Sequence, residues 1–285
     1  MKTSIAVIFM LVAGIVSAGE ALLKWGNSPE AVKKQWNDTK FKVKKINEAP
    51  GNGLCIIVNK CTWDTPLAPT TAGFIPVEAD KKYILSGYFR STGKELSKLF
   101  FGFIPYDAKK KEISSFHTNV IPNTGSELTA NAYKGDKSVM IRNGMEWRIN
   151  LKNPKSYAIA FNVKDDFSDL PNRESQYGLV KVIPKGDVFK IELSKPLNKD
   201  YPIGTKVREH SIAYGKYLYT AACGVKVPKE WKEYKGTCTM GKPGRTGWNL
   251  FRPGTAFVKI LLLANYGQKA DAEMQVANIE LKEAD

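Results

Sequence analysis

Short runs of apolar and aromatic residues, separated by turns, mark the segment from residue 73 to 113. FIPVEADKKYILSGYFRS contains an extended stretch, a turn at Ala79-Asp80-Lys81 and a second apolar stretch from Tyr83 to Arg90. KLFFGFIPYD follows and ends at a Pro-Tyr-Asp turn before the polar KKKE. Apolar residues are nearly continuous in both stretches, which is typical of β-strands buried inside a sandwich. The pattern therefore predicts two strands here.

The C-terminal part of the chain repeats this pattern. KYLYTAAC (216–223), AFVKILLLANY (256–266) and EMQVANIELK (273–282) predict three further strands, separated by loops that contain Gly or Pro. A series of short strands with turns between them indicates an all-β sandwich or barrel. Near the start of the chain, Ser28-Pro29-Glu30 predicts a short helix with Ser28 as its N-cap.

The middle of the chain has strands and turns of its own. Lys134-Gly135-Asp136 precedes SVMIR, and Lys185-Gly186-Asp187 lies between VKVI and VFKIEL in the manner of a β-hairpin. A compact β-module inserted into a larger sandwich explains this pattern, and one continuous sheet system is the alternative. The expected division is a signal peptide at 1–18, the first part of the sandwich at 19–125, the inserted module at 126–210 and the second part of the sandwich at 211–285.

The first 18 residues have the organisation of an export signal. Lys2 provides a positive charge, an uncharged apolar run follows from Ile5 to Val16, and Val16-Ser17-Ala18 places small or β-branched residues where signal peptidase cleaves. The apolar run is shorter than the roughly 20 residues that a helix needs to cross ~30 Å of hydrocarbon. We therefore expect cleavage after Ala18, no membrane span, and a secreted or periplasmic protein.

The composition is that of a globular protein, with 43% hydrophobic, 11% aromatic and 25% charged residues, which excludes disorder for most of the length. The formal net charge of +15 is the strongest compositional signal. In an exported protein without a recognisable nucleic-acid motif, this charge favours an acidic polysaccharide, a sulfated glycan or an anionic cell envelope as the partner, rather than nucleic acid. A surface of solvated lysines with no dedicated partner is the alternative.

The cysteines form an even set: Cys55, Cys61, Cys223 and Cys238. In an exported chain an even set favours two disulfides, and we expect the local pairs Cys55–Cys61 and Cys223–Cys238, although three connectivities are open. Free buried thiols are the alternative. No C-x-x-C pair is present and the only histidines are His117 and His210, so a metal site built from these residue types is not expected.

Four segments together resemble one known family: YILSGYFRS, FFGFIPYD, VPKEWKEYKG and FRPGTAFVKILLLANYG. They are similar to the jelly-roll carbohydrate-binding modules of secreted bacterial glycan-degrading proteins, in which a Trp-x-x-Tyr segment, here Trp231 and Tyr234, precedes the final strands. The middle segment resembles small β-modules at Gly135-Asp136 and at 196–207. The resemblance covers most of residues 73–282. It implies a jelly-roll β-sandwich with an inserted small β-module that binds a carbohydrate.

Sugar recognition needs flat apolar ring faces beside hydrogen-bonding groups, and an acidic sugar also needs Arg or Lys. Strand alternation places Ser86, Tyr88 and Arg90 on the more polar face of their strand, and these are the best candidates for a ligand-binding face. The other candidates lie at a strand end, on a later strand and in loops: Trp63, Tyr106, Asp107, Tyr217, Tyr219, Trp248 and Arg252. Core packing is the alternative for each aromatic residue, and Trp147 and Trp231 are expected to be structural.

Other chemistry competes with sugar binding. The loop KDDFSDLPNRE offers oxygen atoms that calcium could use, from Asp165, Asp166, Asp169 and Asn172. The spacing is not that of an EF-hand, so no cofactor is expected and calcium is kept as an alternative. A polysaccharide lyase or glycoside hydrolase is a second alternative, with Tyr88, Arg90 and His117 imaginable in a lyase site, although no catalytic motif is present. A structural cell-envelope protein is the third. The interpretation we favour is a secreted, non-catalytic carbohydrate-binding protein.

Overall fold

The structure analysed is a computed structural model, and it describes most of the chain. The described residues are 21–36, 41–59, 69–147, 156–212, 217–242, 244, 247–268 and 271–284. The predicted signal peptide lies outside them. Within these ranges the regular structure is almost wholly β-strand, and no helix there is long and apolar enough to cross a membrane.

In chain order the strands are β1 (Ala21–Leu23), β2 (Lys42–Lys45), β3 (Leu54–Asn59), β4 (Ile75–Pro76), β5 (Lys82–Ser91), β6 (Lys98–Tyr106), β7 (Ser126–Glu127), β8 (Ser138–Ile141), β9 (Tyr157–Phe161), β10 (Ser175–Tyr177), β11 (Leu179–Lys185), β12 (Val188–Leu193), β13 (Lys206–Ser211), β14 (Leu218–Lys226), β15 (Lys232–Met240), β16 (Leu250–Phe251), β17 (Phe257–Ala264) and β18 (Glu273–Glu283). The helix α1 (Pro29–Gln35) lies between β1 and β2. It begins where the sequence predicts, because Ser28 Oγ accepts a hydrogen bond from the N–H of Ala31 at 3.1 Å.

Two sheets form a jelly-roll sandwich. The large sheet has the order β16-β15-β5-β18-β3-β2, with β1 also paired to β18, and the small sheet has the order β14-β6-β17-β4. The chain crosses between the sheets at every connection from β3 to β6, again from β14 to β15, and from β16 through β17 to β18. This alternation gives the two Greek keys of a jelly roll. The fold class predicted from the sequence is confirmed.

Alternate residues of these strands fill the space between the two sheets. Tyr83, Leu85 and Phe89 on β5, and Phe101 and Phe103 on β6, are at most 2% exposed. The rings of Phe89 and Phe101 pack edge to face, with centroids 5.0 Å apart. Burial of each such side chain contributes roughly 1.5–3 kcal/mol. The contact between the sheets therefore fixes the register of β5 and the direction of its other side chains.

The strands from β7 to β13 form a separate module between β6 and β14. It has a four-stranded sheet in the order β10-β9-β13-β7 and a three-stranded sheet in the order β11-β12-β8. In its hydrophobic interior Trp147, Phe161 and Ile191 are at most 2% exposed, and the rings of Phe161 and Tyr201 stack at 3.8 Å. Trp147 also donates its indole N–H to the carbonyl of Thr124 at 2.8 Å. The module thus has its own core, and Trp147 is structural as expected.

Arg173 of the module joins it to the end of β6. Its guanidinium donates to Asp107 Oδ2 at 2.5 Å and lies 3.1 Å from Nδ1 of His117. Close by, Pro171 of the module packs against Gly254 in the loop before β17. A β-carbon on Gly254 would lie 2.5 Å from the Pro171 ring, and the glycine has a φ of +80°. The module and the sandwich are therefore joined by an ion pair and by close packing of Pro171 against Gly254.

Both histidines are held in the neutral form. His117 lies in this junction and His210 lies beside it. The Nε2 atom of His210 accepts a hydrogen bond from Arg208 Nε at 2.9 Å, and its Nδ1 lies 2.5 Å from the carbonyl of Phe116, which places the proton on Nδ1. Burial lowers the pKa of His210 to about 4 and that of His117 to about 4, with adjacent guanidinium groups as a further cause. The folded protein therefore resists the protonation of both rings.

We expect the protein to lose stability as the pH falls from about 6.5 towards 4. The unfolded chain protonates its histidines near pH 6.5, whereas the folded chain does so only near pH 4. The unfolded state thus binds more protons in this range, and the free energy of unfolding decreases. Thermal unfolding across the range measures the effect. His117→Asn keeps an acceptor near the position of Nδ1 but cannot titrate, so its melting temperature should depend less on pH. An unchanged dependence in H117N would contradict the assignment.

The predicted disulfide pairs are wrong, because Cys55, Cys223 and Cys238 are free. Cys61 lies outside the described residues. Cys238 faces the core of the sandwich, Cys55 belongs to a small cluster on the outer side of the large sheet, and Cys223 is exposed on β14 of the small sheet. Successive residues of a strand point to opposite faces, and spacing along the chain did not show which face each cysteine would occupy.

Among the three described thiols, we expect Cys223 to react faster with iodoacetamide than Cys55 and Cys238 in the folded protein, because its side chain is exposed, although burial raises its pKa too. Cys55 and Cys238 are fully buried. Burial raises the pKa of Cys55 to about 11 and also raises that of Cys238, so neither presents a thiolate. Mass spectrometry after alkylation, with and without denaturant, measures the difference. Equal rates for Cys238 and Cys223 in the native protein would contradict the placement of Cys238 in the core.

Candidate functional site

The outer face of the large sheet carries three of the residues singled out from the sequence. Ser86, Tyr88 and Arg90 point away from the core, as strand alternation predicts. Ser86 is 9% exposed, Tyr88 is half-buried, and the side chain of Arg90 is 17% exposed. Their strand, β5, lies in the interior of the sheet between β15 and β18. The structure therefore brings the three residues together on one face.

Arg90 is held in position by three groups. Its Nε donates to Gln275 Oε1 at 2.8 Å and its Nη2 donates to Glu48 Oε1 at 2.9 Å. Its guanidinium carbon lies 4.8 Å from the centroid of the Trp231 ring. The hydrogen bond from Arg90 lowers the pKa of Glu48. A guanidinium that lies over an aromatic ring and binds acceptors at its edge has little conformational freedom left.

Trp231 belongs to this face, although the sequence predicted a structural role for it. Lys232 is paired with Phe89 across the β15–β5 ladder, so Trp231, one residue earlier, comes beside Arg90. Its indole is half-buried and Arg90 covers it. The register of β15 against β5 is the signal that would have identified Trp231. That register results from the pairing of distant strands, which the local pattern does not show.

Residues 46–53 cover part of the outer face. Ala49 of this segment packs with Cys55, Ile57 and Ala277 of the sheet in a small buried cluster. The ion pair between Glu48 and Arg90 ties this segment to the sheet. On the other side of Arg90, β15 carries the exposed side chains of Glu233 and Lys235. The segment therefore forms a wall on one side, and the face is open towards β15.

Charged side chains of both signs lie around the open part of the face. Glu233 of β15 is paired with Tyr88, and Lys235 is paired with Ser86. On the other side of β5, Glu280 of β18 is also paired with Ser86. Ammonium groups donate hydrogen bonds and carboxylates accept them. A ligand on this face would thus meet donors and acceptors beside the ring of Tyr88 and the guanidinium that lies over Trp231.

The outer face of the small sheet holds other aromatic candidates, in two groups. Tyr219 packs on Phe100 with ring centroids 4.9 Å apart, and Tyr217 lies 6.1 Å from Tyr219. Burial raises the pKa of Tyr219 to about 12. At the other end of β6, Tyr106 packs edge-on against Phe74 at 4.9 Å. These tyrosines therefore lie on the opposite side of the sandwich from the outer face of the large sheet and are not part of one site with it.

The remaining sequence candidates lie elsewhere. Asp107 is bound to the module at the junction. Arg252 is 3% exposed and donates to the carbonyl of Ile113, and burial lowers its pKa to about 10. The sequence predicted that Arg252 lies at the rim of a cleft. The structure instead places it inside the protein. Trp248 is 47% exposed in its loop, and Trp63 lies outside the described residues.

The acidic loop at 164–172 has carboxylates that bind cationic side chains of the module. Asp165 pairs with Lys206 at 2.7 Å, and Asp169 pairs with the buried Arg208 at 2.6 Å. In the part of the chain that the structure describes, no group of three or more His, Cys, Asp or Glu side chains is arranged to hold a metal ion. The contacts of Asp165 and Asp169 give the loop a structural role beside the junction.

The three residues considered for a lyase lie apart from one another. His117 contacts Ser114 and Arg173 at the junction, whereas Tyr88 and Arg90 lie on the outer face of the large sheet. An acid and a base that act on one substrate must both reach the reacting atoms by hydrogen bonding. These residues therefore do not form a lyase site.

Comparisons with known proteins add little to this geometry. No protein-family model matches the sequence, and no curated protein matches it. Among solved structures, the chain is similar to the CBM22-1 xylan-binding domain of Xyn10C from Paenibacillus barcinonensis, with 9% identity, 94% of this chain and 97% of that chain covered, and a TM-score of 0.40. The CBM22-1–CBM22-2 tandem domain of the same protein gives 7% identity, coverage of 96% and 100%, and a TM-score of 0.26. Likenesses this distant carry no argument about function.

Proposed function

We propose that this protein binds a polysaccharide, without catalysis, through the outer face of its large sheet. The observation that carries the proposal is the fixed position of Arg90, which Glu48 and Gln275 bind and which lies over the Trp231 ring. Tyr88 lies beside it on the same strand face. The ring of Tyr88 would contact sugar C–H groups, and the charged groups around it would supply donors and acceptors for sugar hydroxyls.

The fixed position of Arg90 favours binding over a stabilising role. Ordering a long side chain when a ligand arrives costs about 0.5–1.5 kcal/mol, and Arg90 has already lost that freedom. Its partner Glu48 has a side chain that is 62% exposed. An ion pair with an exposed partner contributes only about 0–1 kcal/mol to folding. The Glu48 pair therefore adds little to stability, and we interpret the fixed guanidinium as preparation for a ligand.

The charge of the protein favours an acidic polysaccharide as the ligand. A formal net charge of +15 attracts a polyanion and accelerates its association with the protein. The predicted signal peptide would bring the chain to the periplasm or the exterior, where such polymers occur. The separation of His117 from Tyr88 and Arg90 supports a binding role rather than a lyase reaction.

We expect Tyr88→Ala to weaken polysaccharide binding by about tenfold or more, equivalent to at least ~1.4 kcal/mol, because it removes a ring from the centre of the face. Its matched control is Tyr133→Ala, which removes a tyrosine that is 57% exposed on the module and should have no effect.

Arg90→Lys keeps the charge but loses the planar fork and the ring contact, so it should also weaken binding. Arg142→Lys, at the exposed ion pair with Glu127 of the module, is its control. Affinity electrophoresis in gels containing xylan or polygalacturonate measures each variant.

Several outcomes would count against the proposal. Full binding by both Tyr88→Ala and Arg90→Lys would exclude this face as the site. Release of reducing ends or of unsaturated uronic products would show that the protein is an enzyme. Failure to bind any glycan on an array, together with cross-linking to a protein partner, would favour the structural envelope role. Binding to polygalacturonate that does not weaken with salt would remove the electrostatic part of the proposal.

A further inference from the structure

Three aromatic rings form a floor at one end of the outer face of the small sheet. Phe257 of β17 is paired with Tyr106 of β6, and because Val258 faces the core, Phe257 faces outward. Phe74, just before β4, packs edge-on against both, with ring centroids 4.9 Å from Tyr106 and 6.1 Å from Phe257. All three side chains are half-buried, so part of each remains in contact with solvent.

Two lysines direct their ammonium groups at this floor. Lys259 Nζ lies 4.5 Å from the centroid of the Phe74 ring. Lys110 Nζ lies 5.2 Å from the same ring and 5.7 Å from that of Phe257. Neither ammonium group forms an ion pair with any residue in the described ranges. Two positive charges therefore converge on one aromatic ring without a carboxylate paired to either.

Lys110 lies in the turn after β6 and has an unfavourable backbone conformation, which hydrogen bonds of the turn maintain. Lys110 has a φ of 58°, in the left-handed region that is rare for residues other than Gly, Asn and Asp. Its N–H donates to the carbonyl of Asp107 at 2.8 Å, and Asp107 Oδ1 accepts from the N–H groups of Lys109 at 3.0 Å and Lys111 at 2.9 Å. The lysine therefore occupies a backbone position that suits glycine.

We propose that this aromatic–lysine cluster is a second binding site, which takes the carboxylate or sulfate groups of an acidic polysaccharide. Its members are Phe74, Tyr106, Phe257, Lys110 and Lys259. Two ammonium groups within 5.2 Å of one ring centroid repel each other, and an anion that reaches both is attracted by each. The apolar floor suits the C–H face of the sugar that carries the acid group. The cluster lies on a different sheet from Arg90, so it goes beyond the proposed function.

The geometry of the cluster favours a polysaccharide over a nucleic acid. Single-stranded nucleic acids bind to aromatic faces on which the bases stack. The two ammonium groups lie over the ring of Phe74, so a base could stack on a face of this ring that an ammonium group covers only by displacing that group. The rings also meet edge-on, at 86° between Phe74 and Tyr106 and at 75° between Phe74 and Phe257. The three rings therefore do not form one flat stacking surface.

The decisive experiment compares two double variants of equal charge. Lys110→Gln with Lys259→Gln neutralises the cluster, and Lys134→Gln with Lys185→Gln removes two exposed lysines of the module. Affinity electrophoresis is run with polygalacturonate, with dextran sulfate and with neutral xylan. We expect the cluster variant to lose about tenfold in affinity for the two acidic polymers and the control to lose less than about twofold. Binding to xylan should be equal in both.

A second variant guards against effects on folding. Lys110→Gly removes one ammonium group and places glycine where φ is positive, so the turn is retained. Its melting temperature should stay at or above that of the native protein, while its affinity for polygalacturonate falls. A variant that is as stable as the native protein and binds polygalacturonate equally well would overturn the proposal.

The remaining outcomes separate this proposal from the function of the large sheet. Equal weakening in both double variants would overturn the cluster, because the overall charge alone would then explain binding. Loss of binding to an oligo-dT strand, with acidic polysaccharide unaffected, would overturn it in favour of nucleic acid. If Tyr88→Ala has no effect and the cluster variant loses the acidic polymers, the cluster is supported and the face on the large sheet is not. If only Tyr88→Ala matters, the opposite holds.

Discussion

The hydrophobic contact between the two sheets of the sandwich determines where the remaining side chains of the strands point. Tyr83, Leu85 and Phe89 are fixed in the interior of the sandwich, so Tyr88 and Arg90 must point outward. A slip of one residue in the pairing of β5 would exchange the two sets and bury the Arg90 guanidinium among apolar side chains. An unpaired charge in such a core costs several kcal/mol. The arrangement of the outer face is thus a consequence of the core.

The same constraint acts on the small sheet and produces a face of different chemistry. Phe101, Phe103 and Val258 are buried, which leaves Tyr106 and Phe257 on the outside. On the large sheet a guanidinium is fixed by a carboxylate and an amide, an arrangement suited to a pattern of hydroxyl groups. On the small sheet two ammonium groups converge without a carboxylate, an arrangement suited to negative charge. Under the two proposals, one sandwich presents two surfaces that bind different chemical groups of the same polymer.

The local sequence pattern predicted the features that depend on neighbours along the chain. It did not predict side-chain positions that depend on contacts between distant segments. The alternation on β5, the helix that begins at Ser28 and the all-β sandwich follow from short-range periodicity and capping. The position of Trp231 depends on the register of β15 against β5, and that of Arg252 on a contact with Ile113, 139 residues earlier. The cysteines were paired by spacing, although the side of the sheet that each faces decides whether two thiols can meet. Charge composition likewise indicated an anionic partner but could not locate the lysines that converge.

The insertion of the module between β6 and β14 has a consequence for how the chain folds. These two strands are adjacent in the small sheet, although the whole module separates them in sequence. The entropic cost of closing a flexible loop increases with its length, and pairings between distant segments form slowly. The module is one continuous segment with its own core, so we expect it to fold before β6 and β14 pair. Once folded, it replaces a long flexible loop with a compact body tied to the end of β6, and it lowers the entropy that the sandwich must lose when it closes.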